Sequence, residues 1–335
     1  MKAIVQDAYG GPEVLRLADI DPPRIAADEV LVRVRAASVH PDVWHVMTGR
    51  PWILRLMGSG LRRPKRRVPG TDLAGVVEAV GTAVTTLGVG DEVFGETVTG
   101  LQWMNGGAFA EHAAVKALFL ARKPASVSFE QAATVPTAGL IALNNLRGMP
   151  TGPGRRVLVN GAGGGVGALA LQMAKASGAT VTGVETTARL ELVRSLGADA
   201  VIDYTREDFT RGQQRYDLIF DIPGNHSFSR CRRVLTPEGK YVLIAHDGFG
   251  ARGRRILGGL PSGLWLMLQA RFRRNLPRAS FAMPPKAESM ATLQKLLEDG
   301  KLTPVVAKAF PLAEVREAMR HLIEGLCVGR IVVTM

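Results

Sequence analysis

The chain has 335 residues, of which 46% are hydrophobic and 21% charged, and its formal net charge is +12 at pH 7. This length is typical of two domains, and the composition excludes wholesale disorder and collagen-like repeats. No apolar run reaches the roughly 18–20 residues of a membrane-spanning helix and the N-terminus resembles a strand rather than a secretory signal, so we expect a cytoplasmic protein without stable membrane insertion.

Basic residues concentrate in three clusters, and the sequence contains two cysteines. The clusters span Arg62–Arg67, Arg252–Arg255 and Arg271–Arg274. A basic surface is typical of proteins that bind nucleic acid, anionic lipid or an anionic cofactor. These clusters lack the interleaved aromatic residues of single-strand binders, so we expect a solvated arginine-rich surface and no nucleic-acid partner. Cys231 and Cys327 cannot form a disulfide framework or a four-thiolate zinc site.

Residues 1–120 predict a small β-barrel. Val30–Val34 alternates apolar and basic residues, which is the period of a half-buried strand. Gly70–Val80 and Asp91–Gly95 are further short strands, and glycines separate them from their neighbours. Many short strands with glycine punctuation favour a barrel over a parallel sheet.

Beyond Pro124, strands and helices alternate. Phe129–Arg147 is rich in Ala and Leu and predicts a helix. The elements predicted after it are strand Arg156–Asn160, helix Gly167–Ala176, strand Thr180–Val184, helix Arg189–Leu196, and strands Val201–Asp203, Leu218–Ile222 and Tyr241–Ile244. Alternation with short loops is typical of a parallel, doubly wound sheet. The sequence therefore predicts an α/β protein.

The last part of the chain departs from this alternation. Residues 247–285 are basic, glycine-rich and apolar in turn. Ala287–Glu298 and Leu312–Glu324 then predict amphipathic helices, and Arg330–Thr334 predicts a final strand. We expect this return segment to rejoin the barrel.

The sharpest motif is the glycine-rich turn VLVNGAGGGVG, residues 157–167, between a predicted strand and helix. Helix-terminal amides and close backbone approach suit the pyrophosphate of a dinucleotide. Two registers of the fingerprint fit: Gly163 with Gly165 and Ala168, or Ala162 with Gly164 and Gly167. We prefer the second, because Gly167 then opens the helix. The predicted cofactor-binding residues of the turn are Asn160, Gly161, Ala162, Gly163, Gly164, Gly165, Val166 and Gly167.

The residues after the second strand leave the choice between NAD(H) and NADP(H) open. Glu185 ends that strand 18 residues past Gly167, where an acid accepts a hydrogen bond from the ribose 2′-hydroxyl of NAD. Arg189, with Thr186 and Thr187, can instead hold the 2′-phosphate of NADP. Tyr204 lines the adenine side or packs in the domain.

These motifs together resemble the medium-chain dehydrogenase/reductase superfamily, in its zinc-independent quinone oxidoreductase branch. The glycine turn is one of them, and the others are Ala37–Asp42, Pro69–Val77, Val89–Gly95, Gly107–Ala113 and Leu192–Tyr204. The resemblance implies a GroES-like β-barrel catalytic domain, residues 1–123 and 284–335, and a Rossmann domain, residues 124–283. Residues 247–283 are then a dimer contact or a lid. The active site is expected in the cleft between the domains, and the protein is expected to be a homodimer.

The resemblance also addresses zinc. Metal-dependent relatives place three ligands around the reacting oxygen, and here the matching positions are His40, Thr71 and the stretch Thr134–Thr137. A catalytic zinc needs about three protein ligands, and one histidine does not supply them. We therefore expect no metal site.

Candidate catalytic residues lie in one short stretch. His45 matches the position of a proton relay in the zinc-dependent relatives, and a neutral histidine can pass a proton near pH 7. His40 polarises the acceptor oxygen or bonds the backbone, and Asp42 orients the loop or a histidine. Trp44 and Trp52 are expected to form apolar walls for a substrate or to belong to the core.

The resemblance implies an enzyme that transfers hydride from NAD(P)H to a small-molecule quinone or α,β-unsaturated carbonyl. Two alternatives remain open at this point. One is an alcohol dehydrogenase-like or biosynthetic ketone reductase. The other is a low-turnover dinucleotide-binding protein whose basic face binds a partner.

Overall fold

Alternating apolar and polar residues build the N-terminal part of the chain into antiparallel strands. The structure is a computed structural model that describes residues 1–100, 104–244, 256–277, 284–325 and 329–335. The strands of this part are β1 (Lys2–Val5), β2 (Arg16–Asp19), β3 (Glu29–Val39), β4 (Asp72–Val80), β5 (Glu92–Glu96), β6 (His112–Lys116) and β7 (Leu120–Arg122). Helix α1 (Pro41–Thr48) follows β3 directly.

The central part of the chain is a parallel α/β layer. Its elements are α2 (Phe129–Ala133), α3 (Pro136–Leu146), β8 (Arg156–Asn160), α4 (Gly165–Ala176), β9 (Thr180–Glu185), α5 (Leu190–Ser195), β10 (Ala200–Asp203), β11 (Tyr216–Asp221), α6 (Phe228–Cys231) and β12 (Leu235–Leu243). The strands pair in parallel in the order β10-β9-β8-β11-β12. The Rossmann sheet expected from the sequence is confirmed.

The sheet is covered on both faces. In β8, Val157 and Val159 belong to one apolar cluster, and Leu158 between them belongs to another on the opposite face. A parallel strand that is apolar throughout is stable only when both faces are buried. From β8 the chain winds to β9 and β10 on one side and then to β11 and β12 on the other. Ligands bind such sheets where the winding reverses, at the carboxyl ends of β8 and β11.

The C-terminal elements are α7 (Leu260–Ala270), α8 (Lys286–Glu298), β13 (Val306–Pro311), α9 (Val315–Glu324) and β14 (Arg330–Thr334). Helix α7 packs against the Rossmann core, and the two strands return to the barrel sheet. β14 pairs with β3 in an antiparallel register that places Ile331 opposite Val39, and the sheet runs β13-β14-β3-β4-β5-β7 with β6 also on β3. This pairing brings Arg330 beside the start of α1. The exact domain limits stay predictions.

Two predicted helices differ from the structure. The helix expected over Phe129–Arg147 is divided into α2 and α3, since Pro136 lacks the N–H that would continue α2 and instead begins a new helix. Helix α4 begins at Gly165 and not at Gly167, so the reason given above for preferring one glycine register was wrong. Of residues 247–285, the stretches 247–255 and 278–283 lie outside the described residues. Among the described residues, no helix is both long enough and apolar enough to cross a membrane.

Candidate active site

The glycine turn between β8 and α4 is closely packed. Gly161 has φ of +85°, and its N–H donates to the Val184 carbonyl at 3.0 Å. A Cβ at Gly167 would lie 2.1 Å from the Gly161 carbonyl oxygen, so the first turn of α4 rests directly on the loop backbone. This contact leaves the amides at the start of α4 facing the space beyond β8, as a phosphate group requires.

A cleft of about 710 Å³ lies between this turn and the N-terminal end of α1. Most of the predicted cofactor residues line it, namely Asn160, Gly161, Gly164, Gly165, Val166, Gly167, Glu185, Thr186, Arg189 and Tyr204. Ala162 and Gly163 do not belong to its lining. Ala162 is fully buried in the apolar core, and the Gly163 N–H donates to the Glu185 carboxylate at 3.3 Å.

Glu185 is held by the protein itself. Its Oε1 accepts from Gly163, and its Oε2 accepts from the Thr186 N–H at 2.9 Å. The side chain is 4% exposed, and the Arg189 Nη1 lies 3.6 Å from Oε1. A carboxylate with amide donors on both oxygens and a neighbouring guanidinium repels an anionic ligand less than an isolated one.

Arg330 is a cleft residue that the sequence analysis did not single out. Its guanidinium donates from Nη2 to the Ser38 Oγ at 3.1 Å, lies 3.9 Å from Asp72 Oδ2, and has a buried Nε without a hydrogen-bond partner. Burial lowers the pKa of Arg330, and the charges of Asp72 and Asp42 oppose that shift. A Cβ at Gly165 would lie 2.5 Å from its Nη1. A buried cation with a spare donor beside the glycine turn fits the pyrophosphate of a dinucleotide. The signal in the sequence was a lone arginine that opens an apolar strand.

His40 has both ring nitrogens engaged. Its Nε2 lies 3.0 Å from the Thr71 Oγ1, and its Nδ1 lies 3.3 Å from Asp42 Oδ2. The imidazole is 1% exposed but reaches the wall of the cleft. In this arrangement neither ring nitrogen of His40 is left to make the bond to an acceptor oxygen that the sequence analysis expected. The ring positions Asp42 instead.

Two buried carboxyl groups share the Thr137 hydroxyl. Thr137 Oγ1 lies within hydrogen-bond distance of Asp72 Oδ1 and 2.9 Å from Glu96 Oε2. One hydroxyl proton cannot serve both oxygens, so one carboxyl group is protonated and donates to Thr137. Burial and the charge of Asp72 raise the pKa of Glu96, while Lys286 opposes the shift. Of the two carboxyl groups, Glu96 is the one whose surroundings raise the pKa, so we assign the shared proton to Glu96.

A second cavity, of about 520 Å³, adjoins the cleft. Asp42 lines both spaces. The walls of the cavity are mostly apolar side chains of the segment after α1 and of the α7 region, including Ile53, Leu54, Met57, Leu257, Leu260, Leu264, Leu266 and Met267. His45 also lines it, and its Nδ1 lies 2.6 Å from the Arg50 carbonyl oxygen. Because a carbonyl only accepts, Nδ1 carries a proton.

The two tryptophans predicted as substrate walls line neither space. Trp44 is 5% exposed and packs in the barrel core, with its ring edge-on to His45 at 5.1 Å. Trp52 is 54% exposed, and the Arg55 guanidinium lies 6.0 Å from its ring. The helical period of α1 turns Trp44 inward, which the short stretch of sequence did not reveal.

Asp221, at the end of β11, was also missed. Its Oδ1 accepts from the Asn160 Nδ2, and its Oδ2 accepts from the Tyr241 hydroxyl, each at 2.8 Å. Burial raises the pKa of Asp221. This group fixes Asn160 at the floor of the cleft and Tyr241 in the wall of the apolar cavity.

The three positions that match metal ligands meet in space. His40 contacts Thr71, and Asp72 joins that pair to Thr137. Two of the three supply neutral hydroxyl groups, which are not the ligands zinc takes in proteins. Within the described ranges, no group of three or more His, Cys, Asp and Glu side chains is arranged to hold a metal ion.

Comparison with known proteins identifies the family. A family model described as an alcohol dehydrogenase GroES-like domain matches residues 26–125, and one described as a zinc-binding dehydrogenase matches residues 196–333. The chain is 34% identical over 342 residues to a chloroplastic NADPH-dependent alkenal/one oxidoreductase of Arabidopsis thaliana, covering 99% of this chain and 79% of that protein.

Solved structures agree with this match along the whole chain. A quinone oxidoreductase from Coxiella burnetii superimposes with a TM-score of 0.84 at 27% identity, covering 100% of this chain and 99% of the other. An Escherichia coli quinone oxidoreductase complexed with NADPH gives 0.80 at 25% identity and covers 100% of both chains. The protein thus belongs to the medium-chain dehydrogenase/reductase superfamily of oxidoreductases, in its quinone oxidoreductase-like branch.

Proposed function

We propose that this protein is an NADPH-dependent reductase that transfers a hydride to the electron-poor carbon of a quinone or an α,β-unsaturated carbonyl compound, without a metal ion. The observation that carries the proposal is the position of Asp42, which lines both the cleft of the glycine turn and the apolar cavity. A dinucleotide in the first space and an apolar acceptor in the second would meet there. Holding both reactants in contact supplies much of the catalysis in hydride transfer.

The cleft residues divide the work of holding the cofactor. The amides of the glycine turn and Arg330 would hold the pyrophosphate, and Asn160 also lines the cleft. Arg189 and Tyr204 line it too and would hold the adenosine end, where a guanidinium favours the 2′-phosphate of NADPH. The Arg189 guanidinium also lies 3.6 Å from Glu185 Oε1, so its charge offsets the repulsion between that carboxylate and a 2′-phosphate. When bound, the nicotinamide supplies the hydride.

The second space sets the class of acceptor. Its apolar walls favour a flat or chain-bearing carbonyl compound over a charged one, and Asp42 disfavours an anionic acceptor by charge. Reduction leaves an enolate or a hydroquinone anion that takes up a proton. His45 is the side chain that we assign to this transfer, since it lines the cavity and histidine is the residue that most often serves as a general acid. With Nδ1 bound to the Arg50 carbonyl, it delivers the proton from Nε2 as an imidazolium.

The threonines at two of the positions that match metal ligands support the proposal that the reaction needs no metal ion. The hydrogen bonds from His40 through Thr71 and Asp72 to Thr137 occupy the place where metal-dependent relatives hold their ligands. Where those relatives have three metal ligands, this chain has side chains that form hydrogen bonds with one another. Stabilisation of the developing oxyanion then depends on hydrogen bonds and proton transfer.

The experiment compares NADPH with NADH in oxidation assays against quinones, enones and simple aldehydes, with and without a chelator. The proposal expects chelator-resistant turnover of quinones or enones and a preference for NADPH. Turnover of aldehydes or ketones alone would establish the ketone reductase alternative. Saturable cofactor binding with no turnover of any acceptor would refute the proposal. The homodimer and the cytoplasmic location stay predictions, and sedimentation velocity measures the first.

A further inference from the structure

The α7 helix packs Leu266 and Ala270 against the core of the Rossmann sheet but leaves its other large apolar side chains open to solvent. Apart from Ser262 and Gln269, all of its residues from Leu260 to Ala270 are apolar. The structure describes the whole helix, and none of its side chains is buried. A helix that is hydrophobic on all sides is ordinarily covered by protein or by lipid.

The exposed residues of α7 border the apolar cavity. Leu264 and Met267 line the cavity and are still 65% and 49% exposed, so they form its rim. Trp265 is 62% exposed, and Phe272, just beyond the helix, is 82% exposed. We call these residues, with Leu268, the α7 face.

A second apolar segment adjoins the α7 face. The Ile53 N–H donates to the Ile256 carbonyl at 3.0 Å, which ties residues 51–59 to the start of the α7 region. Leu56 and Leu61 are 72% and 63% exposed. Exposed apolar side chains therefore lie in or next to both segments whose other side chains line the cavity.

The first of these segments continues into a basic stretch that ends at Arg67, and this longer segment and the α7 region together hold most of the net charge of the protein. Residues 50–67 and 256–277 together contain ten Lys or Arg residues and no Asp or Glu, whereas the formal net charge of the whole chain is +12. Exposed arginines follow the apolar residues in each segment: Arg62 and Arg63 in the first, Arg271, Arg273 and Arg274 in the second. Aromatic and aliphatic side chains flanked by basic ones are typical of a surface that lies on an anionic bilayer.

We propose that the α7 face and its flanking arginines dock on a bilayer that contains anionic lipid. A second copy of this chain is a poor occupant, because two such faces would bring two strongly basic surfaces together, and like charges oppose association. Nucleic acid matches the charge but not the leucines and methionine, which offer no ring for stacking on a base. An anionic bilayer matches both the charge and the apolar surface. The proposal concerns binding and does not rest on the proposed reduction.

The test measures co-sedimentation of the full-length protein with lipid vesicles. We expect binding to phosphatidylcholine vesicles that contain about 30% phosphatidylglycerol, little binding to pure phosphatidylcholine, and release as salt rises to about 0.5 M. Trp265→Ser should weaken binding about tenfold or more, because it removes the largest apolar side chain of the face. Arg62→Ala/Arg63→Ala should weaken it roughly 30-fold, at about fivefold per basic residue near the surface.

Matched variants separate the face from general effects. Leu118→Ser removes another large apolar side chain that is 62% exposed, in the barrel, and should leave binding unchanged. Arg232→Ala/Arg233→Ala removes a different pair of adjacent exposed arginines and should weaken binding much less than the Arg62 and Arg63 pair. Unchanged NADPH binding in all four variants verifies that each is folded.

Several results would overturn the proposal. One is no binding to the anionic vesicles at low salt. Another is equal loss of binding in the control variants. A third is a concentration-dependent oligomer that Trp265→Ser dissociates, since a second copy would then cover the α7 face. The last is that the protein binds duplex DNA more tightly than vesicles and that Trp265→Ser leaves its binding to DNA unchanged.

Discussion

Replacing Gly167 by Ala should damage cofactor binding by a mechanism that the structure makes quantitative. The new Cβ would lie 2.1 Å from the Gly161 carbonyl oxygen and 3.0 Å from the Ala162 Cα, all of them backbone contacts. Real contacts of this kind begin near 3 Å, so the glycine turn must move away from α4 by about 1 Å. Forcing a methyl group into a packed site costs about 1–3 kcal/mol. If binding has to reverse that movement, the dissociation constant for NADPH rises between about fivefold and 150-fold.

Fluorescence titration of NADPH measures the effect, and thermal unfolding measures the accompanying loss of stability. Gly152→Ala is the matched control, because a Cβ there has nothing within 4 Å. We expect the control to bind NADPH as the parent does. A dissociation constant for Gly167→Ala within twofold of the parent would show that the contact between the turn and α4 does not shape the cofactor site.

Four further substitutions test the assigned roles. Arg330→Met should raise the dissociation constants of NADPH and NADH alike, by roughly 10- to 100-fold, because a charged hydrogen bond to the pyrophosphate common to both is lost; equal binding by the variant and the parent would remove Arg330 from the site. Arg189→Ala should weaken NADPH binding about tenfold and leave NADH nearly unaffected, and a parallel loss for both cofactors would contradict the assignment. His45→Ala should lower turnover about 100-fold without changing the dissociation constant of NADPH, whereas His112→Ala, on the barrel surface, should change neither. Glu96→Gln tests the assignment of the shared proton through the pH dependence of stability. The pKa of Glu96 in the folded protein is raised above its usual 4.5, so the parent loses stability as pH rises from 4.5 through that higher pKa. Because glutamine does not titrate, the melting temperature of the variant should rise relative to that of the parent over the same pH range. A constant difference between the two melting temperatures from low pH to about pH 8 would refute the assignment of the proton to Glu96.

Local patterns were enough to predict the architecture. Strand β8 was predicted with the limits that the structure shows, Arg156–Asn160, and β14 likewise, Arg330–Thr334. Both are apolar stretches with clear borders, and their hydrogen-bonded neighbours do not alter where they begin or end. Boundaries were less predictable where one residue decides them. Pro136 divides a helix that its Ala-rich and Leu-rich flanks would continue, and Gly165 begins α4 two residues before the expected position.

The candidate site was predictable only in the part that one continuous segment builds. The strand–turn–helix around Gly161 and Gly167 is local, so the residue types and their spacing carry the cofactor-binding geometry with them. Within that segment the sequence did not reveal which residues face the cleft, since Ala162 is buried in the apolar core instead. The same limit applied to Trp44, whose direction depends on what packs against α1.

By itself the sequence determined the two kinds of sheet, the dinucleotide turn and the family, because each depends on periodicity or on a contiguous motif. The tertiary structure alone decided the rest of the site. It brings His40, Thr71, Thr137 and Arg330 together through the pairing of β14 with β3 and the packing of α3 against the barrel. It also turns a basic, apolar stretch near residue 260 into the wall of a cavity that meets the cofactor cleft at Asp42. Contacts between residues so distant in the chain depend on how sheets and helices pack, and no local preference of the backbone encodes them.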